Sequence, residues 1–181
     1  METINDFDQL IAELNRSKGH EDSYLSTLKR VDIPKETYNS FLAFNEDNYV
    51  RNCIYKNNDY ELVLVCFEKG QGSPVHDYDA HNAWITVLEG KLREEKYVKP
   101  IRGGSLETVS SVNLSLGDFS FIHGAVGIHR YYNIFGSRTV CLCLFSKPVS
   151  TWNVYDVSNG TSEIKETWYN KQPDDFNILL K

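Results

Sequence analysis

The sequence predicts a mainly β protein, a sandwich or barrel of short strands behind an N-terminal helical cap. Three observations carry this expectation. From about residue 48 onward the chain is a series of short β-type runs broken by Gly, Asn, Asp and Pro. Before that point, apolar residues recur with helical spacing. The 181 residues, 41% hydrophobic, 24% charged and 13% aromatic, suffice for one core without disulfide or metal staples and are too aromatic for disorder.

In the cap, Phe7, Leu10, Ile11 and Leu14 repeat at i, i+3, i+4 and i+7 behind the cap candidates Asn5 and Asp6, with Gly19 as a stop. A second helical run carries Tyr24, Leu25 and Leu28, and a third begins at Pro34 with Tyr38, Phe41 and Leu42 on one side. The expected strands follow at 49–55, 61–67, 83–88, 91–97, 110–114, 119–122, 129–135, 139–145 and 151–157. Between them lie turn sequences such as Asn57-Asn58-Asp59, Gly70-Gln71-Gly72, Gly103-Gly104 and Leu116-Gly117-Asp118. The expected division is a cap over residues 1–47 packed on a barrel over 48–181, one structural domain overall.

A net charge of −6 excludes the basic face that nucleic-acid binding requires. The longest apolar runs, such as 62–67, fall far short of the roughly 20 residues of a membrane helix, and the acidic start lacks the pattern of a signal peptide. A cytoplasmic monomer is therefore expected, with no nucleic-acid or membrane partner. Cys53, Cys66, Cys141 and Cys143 lack the spacing of a secreted framework and read as buried free thiols. The Cys-x-Cys pair at 141 and 143 shares one strand face, a weak signal for soft metal ligation.

Two histidines stand out. Gly70, five residues, His76, one residue, Tyr78, and then Gly90 after a strand reproduce the first cupin motif with one substitution; Gly117-Asp118 followed by His129 reproduces the second. Alternate residues of a strand share a face, so positions 76 and 78 enter a barrel together and a later strand adds the third ligand.

The chain resembles the mononuclear iron cysteine dioxygenases of the cupin superfamily. The likeness rests on Tyr49-Val-Arg-Asn52, Glu61-Leu-Val-Leu-Val-Cys-Phe67, Gly70-Gln-Gly-Ser-Pro-Val-His-Asp77, Val87-Leu-Glu-Gly-Lys-Leu92, Gly127-Ile-His-Arg130 and Leu144-Phe-Ser-Lys-Pro148, in family order and over nearly the whole chain. The resemblance implies a cupin jelly-roll barrel. It implies that His76 and His129 bind iron, that Arg51 holds a substrate carboxylate, and that Tyr49 lines the pocket. Imidazole suits ferrous iron, and guanidinium matches a carboxylate as a planar fork.

The departures are equally specific. The family's second iron histidine falls on Tyr78, the cysteine of its thioether crosslink on Ala83, and that cysteine's tyrosine partner on Phe145. The Ser and His that tie the tyrosine down fall on Cys141 and Cys143. Three readings of the third position stay open: Tyr78 as an oxygen ligand, His81 swinging in from a turn-like 77–82 segment, or a site that holds metal weakly or not at all. Asp77 and Asp79 are further oxygen donors nearby; His123 is a candidate mouth residue, His20 a structural one, and Trp84 and Trp152 flank the expected site as core.

The expected function is an iron-dependent thiol dioxygenase taking a small-molecule thiol and O2, with Fe(II) or another divalent transition metal as cofactor, and converting cysteine or a close derivative to a sulfinate. Its rivals are a degenerate cupin that binds a small thiol or carboxylate without turnover, and an enzyme performing a different metal-dependent oxidation.

Overall fold

The computed structural model describes residues 2–17, 19–78, 81–124 and 126–176. Helix α1 (Phe7–Arg16) starts where the Asp6 side chain accepts the Gln9 backbone N–H at 2.7 Å, and it buries Phe7, Leu10, Ile11 and Leu14. Two shorter helices follow, α2 (Tyr24–Leu28) and, directly after Pro34, α3 (Lys35–Tyr38).

Among the described residues eleven strands follow. They are β1 (Val50–Lys56), β2 (Glu61–Phe67), β3 (His76–Asp77), β4 (Ala83–Glu89), β5 (Lys91–Val98), β6 (Glu107–Ser115), β7 (Phe119–Ile122), β8 (Ile128–Tyr132), β9 (Thr139–Phe145), β10 (Thr151–Tyr155) and β11 (Ser162–Glu166). They form two antiparallel sheets, ordered β1-β2-β9-β4-β7 and β11-β10-β3-β8-β5-β6. The protein is a mainly β, two-sheet barrel of the cupin type.

The first sheet is buried on both faces, which is why β2 and β9 read as unbroken apolar runs rather than alternating ones. Leu62, Leu64, Cys66, Val140, Leu142 and Leu144 meet the helices on one face. Val63, Val65, Phe67, Cys141, Cys143 and Phe145 form the barrel interior on the other. The second sheet faces solvent on its outer side, so β5 alternates, with Leu92 and Glu94 buried and Lys91 exposed. All four cysteines are free and buried.

Several expectations need correction. The 77–82 segment is not turn from its start, because Asp77 belongs to β3 and pairs with Asn153. Strand β8 ends at Tyr132 rather than 135, β10 ends at Tyr155, and β11 was not expected because all five of its residues are exposed. Trp84 does not flank the barrel interior. Ala83, Ile85 and Val87 take the inward positions of β4, so Trp84 turns to the helices and packs against Tyr24 at 5.3 Å.

Leu10 is fully buried between the cap and the first sheet. Leu10→Ala is expected to cost about 2–5 kcal/mol. It should lower the midpoint of a single denaturation transition shared by far-UV circular dichroism and tryptophan fluorescence, since cap and sheet bury each other.

Candidate metal and carboxylate site

The two-residue strand β3 lies between β8 and β10, and its register sets His76 directly opposite His129. Their ring centres are 4.4 Å apart, and both side chains are buried. Each Nδ1 lies against the carbonyl two residues earlier, His76 on Pro74 at 2.9 Å and His129 on Gly127 at 2.7 Å. A carbonyl only accepts, so each Nδ1 carries the proton and each Nε2 presents a lone pair. Neither Nε2 has a hydrogen-bond partner. Burial holds both imidazoles neutral, pulling His129 down to about 4 and His76 well below its ordinary value, the latter aided by His129.

Tyr78 joins this pair, its ring centre 4.9 Å from each imidazole and 4.9 Å from Phe145. Burial drives its phenol well above the ordinary range, so it stands as a neutral hydroxyl. His81 lies apart. It is half-buried, its backbone N–H meets the Tyr78 carbonyl at 3.1 Å, and it contributes nothing to the cavity lining. Among the described residues no group of three or more His, Cys, Asp or Glu is placed to hold a metal ion. The pair of bare imidazole nitrogens is of the donor type that suits a borderline divalent transition metal, and the neutral Tyr78 phenol lies beside it.

A cavity of about 30 Å³, room for roughly two waters, is lined by Tyr49, Arg51, His76, Tyr78, Tyr131 and Trp152 among others. Arg51, on β1, is 3% exposed, and its Nε and Nη2 have no hydrogen-bond partner. Its Nη2 is 3.9 Å from Oε1 of Glu61, a distance that leaves Oε1 unbonded as well. Burial raises the Glu61 carboxyl, opposed by the hydroxyl of Tyr169, which donates to Oε2, and by Arg51. Tyr49, two residues before Arg51, stacks on Phe67 at 5.2 Å and keeps a bare hydroxyl.

The positions of the implied crosslink are direct cross-strand partners, Ala83 of β4 opposite Phe145 of β9. Neither side chain can supply a sulfur or a phenol. Cys141 and Cys143 line the same cavity, and burial pushes the Cys143 thiol up to about 12, so it stays protonated.

The other candidates lie elsewhere. Asp77 accepts Asn153 Nδ2 at 2.9 Å and the Tyr155 hydroxyl at 2.6 Å, a structural use of its carboxylate. Asp79 lies outside the described residues. His123 is exposed and packs edge-on against Phe121, and His20 is exposed beside a short turn of 3-10 helix.

Trp152, expected beside the site, lines the cavity, its ring centre 4.4 Å from that of His76. Sequence reasoning missed other contributors. Tyr131, also in the wall, donates its hydroxyl at 2.7 Å to Glu94, a 2% exposed carboxylate that also takes the Ser120 hydroxyl and lies 3.4 Å from Lys96. The inward parity of Leu92 on β5 was the available signal for Glu94. Trp168 and Tyr169 come from a segment tied to β1, where Asn170 N–H donates to the Arg51 carbonyl at 2.7 Å. Trp168 closes over Tyr49 and Trp152 at 5.3 and 5.8 Å.

An antiparallel two-sheet barrel with a bare imidazole pair inside defines a protein of the cupin class. The family described as cysteine dioxygenase type I matches residues 3–158, and the chain belongs to that family. Cysteine dioxygenase type 1 of Homo sapiens is 26% identical over 135 residues, covering 72% of this chain and 68% of the relative. That of Danio rerio is 23% identical over 177 residues, covering 94% and 88%. Among solved structures, TT1209 from Thermus thermophilus shares the fold at a TM-score of 0.51 with 17% identity, over 61% of this chain and 94% of that one. Among the described residues no helix is long and apolar enough to cross a membrane.

Tyr131→Phe removes a donor from the buried Glu94 carboxylate and is expected to cost about 1–3 kcal/mol of stability. Tyr132→Phe, whose hydroxyl serves the half-buried Glu95, should cost less than about 1 kcal/mol. Urea titration of the two variants reads the difference.

Proposed function

We propose that this chain is a mononuclear non-haem iron thiol dioxygenase that converts cysteine or a close cysteine derivative to its sulfinate. One observation carries the reading: His76, with a bare, neutral imidazole nitrogen, and Arg51, with a bare, buried guanidinium, line the same cavity, and the equally bare imidazole of His129 lies beside that of His76 at 4.4 Å. In this reading His76 and His129 supply nitrogen ligands, Tyr78 occupies the third position, and Arg51 binds the substrate carboxylate. The cap over residues 1–47 and the barrel over 48–181 act as one unit, and the cytoplasm, where thiols stay reduced, is the compartment that suits both the substrate and the four free cysteines.

Bound Fe(II) supplies a docking point for the substrate thiolate and the redox chemistry by which both atoms of O2 end on its sulfur, a balanced conversion of RS⁻ and O2 to RSO2⁻. The protein's own residues hold and exclude. Arg51 has two unpaired N–H donors in a low-dielectric cavity, where a charge-assisted pair with a carboxylate is strong. Phe145, Trp152 and Tyr169 surround its guanidinium carbon at 5.8, 5.5 and 5.8 Å with aromatic rings. The Tyr78 hydroxyl, held neutral, offers a proton to an anionic atom beside it rather than a negative charge to the metal.

A second reading follows from Tyr78 itself. With a neutral phenol beside two imidazoles and no third nitrogen, sulfur or carboxylate donor grouped with them among the described residues, the barrel suits a module that binds a small thiol or carboxylate without turning it over.

Purified protein supplied with Fe(II) should retain about one iron per chain by elemental analysis, and both His76→Ala and His129→Ala should abolish that retention. Mass spectrometry should detect cysteine sulfinate; retained iron without sulfinate favours the binding module, and no retained iron removes the metal site. Arg51→Ala is expected to weaken cysteine binding by about 2–5 kcal/mol, measured by calorimetry. Tyr78→His should raise iron affinity and oxygen consumption together, because a neutral nitrogen donor favours the reduced metal. Slower turnover in that variant would make Tyr78 a working part of an altered site.

A further inference from the structure

We infer that the indole N–H of Trp152 is a specificity-determining donor for the anionic end of the substrate, working beside Arg51. The inference deepens the proposed function and rests on its reading of Arg51 as the carboxylate-binding residue. Trp152 is 4% exposed, lines the cavity, and its Nε1 is shielded with no hydrogen-bond partner. Such a group is costly to leave bare in a folded protein, so its retention calls for an acceptor that arrives with a ligand.

Position and chemistry both indicate which acceptor. The Trp152 ring centre lies 5.5 Å from the Arg51 guanidinium carbon and 4.4 Å from the His76 ring centre. A molecule spanning from the guanidinium to the imidazole pair therefore runs beside this indole. Indole N–H and guanidinium N–H groups only donate, so this wall presents unmet donors and calls for a group rich in lone pairs. A carboxylate has about four acceptor positions, and the two bare N–H groups of Arg51 leave part of that capacity open. The Trp152 N–H is suited to take it. Phe145, also beside the guanidinium, has no polar atom to offer.

The role is distinct from that of the other tryptophans. Trp84 packs with the helices, and Trp168 sits over the outer side of Tyr49 and Trp152 and is partly exposed. The same indole also narrows the space next to His76, against whose ring it packs at 4.4 Å.

The test is calorimetry of the purified full chain with cysteine and with cysteamine, which lacks the carboxylate, for the wild type, Arg51→Ala and Trp152→Phe. The phenylalanine keeps an aromatic ring and deletes the donor. Trp152→Phe is expected to weaken cysteine about ten- to a hundred-fold, as for the loss of one hydrogen bond to a charged group, and to leave cysteamine unchanged. Unchanged cysteine affinity, or equal losses for both ligands, overturns the inference while a selective Arg51→Ala effect leaves the carboxylate reading standing. A wild type that binds both ligands equally overturns the two together. Should Trp152→Phe fold poorly, nitrogen-15 labelled indole in the unmutated chain gives a second readout. The Trp152 Nε1–H resonance should shift with cysteine and hold still with cysteamine, and a resonance that treats the two alike overturns the inference.

Discussion

Strand β3 is two residues long and is held on both edges, by β8 through the His76–His129 pair and by β10 through Asp77–Asn153 and His76–Val154. Most of the candidate site depends on that pairing. It brings two imidazoles from distant parts of the chain to one face, and it places the backbone so that Pro74 and Gly127 can each accept the Nδ1 proton of the histidine two residues on. The outward nitrogens are therefore committed, and the inner ones are left free and neutral before any ligand arrives. A slip of one residue would turn His76 to the other side of the sheet and exchange it for Asp77, whose carboxylate now serves Asn153 and Tyr155.

The interior around this pair is mostly apolar. With Ala83 facing Phe145, and thiols at 141 and 143 kept protonated by burial, the polar relay that the family resemblance implies is replaced by groups that neither donate strongly nor carry charge. Low polarity cuts two ways. It strengthens whatever pairs with Arg51, and it raises the cost of leaving Arg51 unpaired. Glu61 moderates that cost at 3.9 Å without forming a hydrogen bond, so the guanidinium is partly balanced yet remains available.

Much of the architecture was legible because local pattern and tertiary burial agree. The four apolar positions of α1 all face the sheet, and the unbroken runs of β2 and β9 are buried on both sides. Strand β3 was legible only through the motif that sets 76 and 78 on one face, because two residues have no period of their own and only pairing from β8 and β10 makes them a strand. Strand β11 was hidden for the opposite reason, since an exposed edge needs no apolar alternation. The two tryptophans were both expected beside the site although parity separates them: the inward positions of β4 belong to Ala83, Ile85 and Val87, which turns Trp84 away from the cavity that Trp152 lines. At the third ligand position the sequence left Tyr78 and His81 open. The strand that carries His76 also delivers Tyr78 to the imidazole pair, whereas His81 comes after the chain has left it.

The distribution of unsatisfied polar atoms gives this barrel its functional character. Buried donors and acceptors without partners each cost on the order of 1–3 kcal/mol. Here Tyr49, Arg51, Trp152 and His76, each with a bare buried polar atom, line one small space, and the bare Nε2 of His129 belongs to the ring packed beside His76. A core under selection for stability alone would replace them with well-packed hydrocarbon, as the neighbouring positions 83 and 145 show is sterically feasible. Donors gathered on the Arg51 side and lone pairs on the histidine side divide the cavity into an anion-accepting end and a cation-accepting end. Under the proposed function, that division would suit a molecule whose carboxylate and thiol sit a few bonds apart, the carboxylate held by the protein's N–H groups and the thiol directed to the imidazole end.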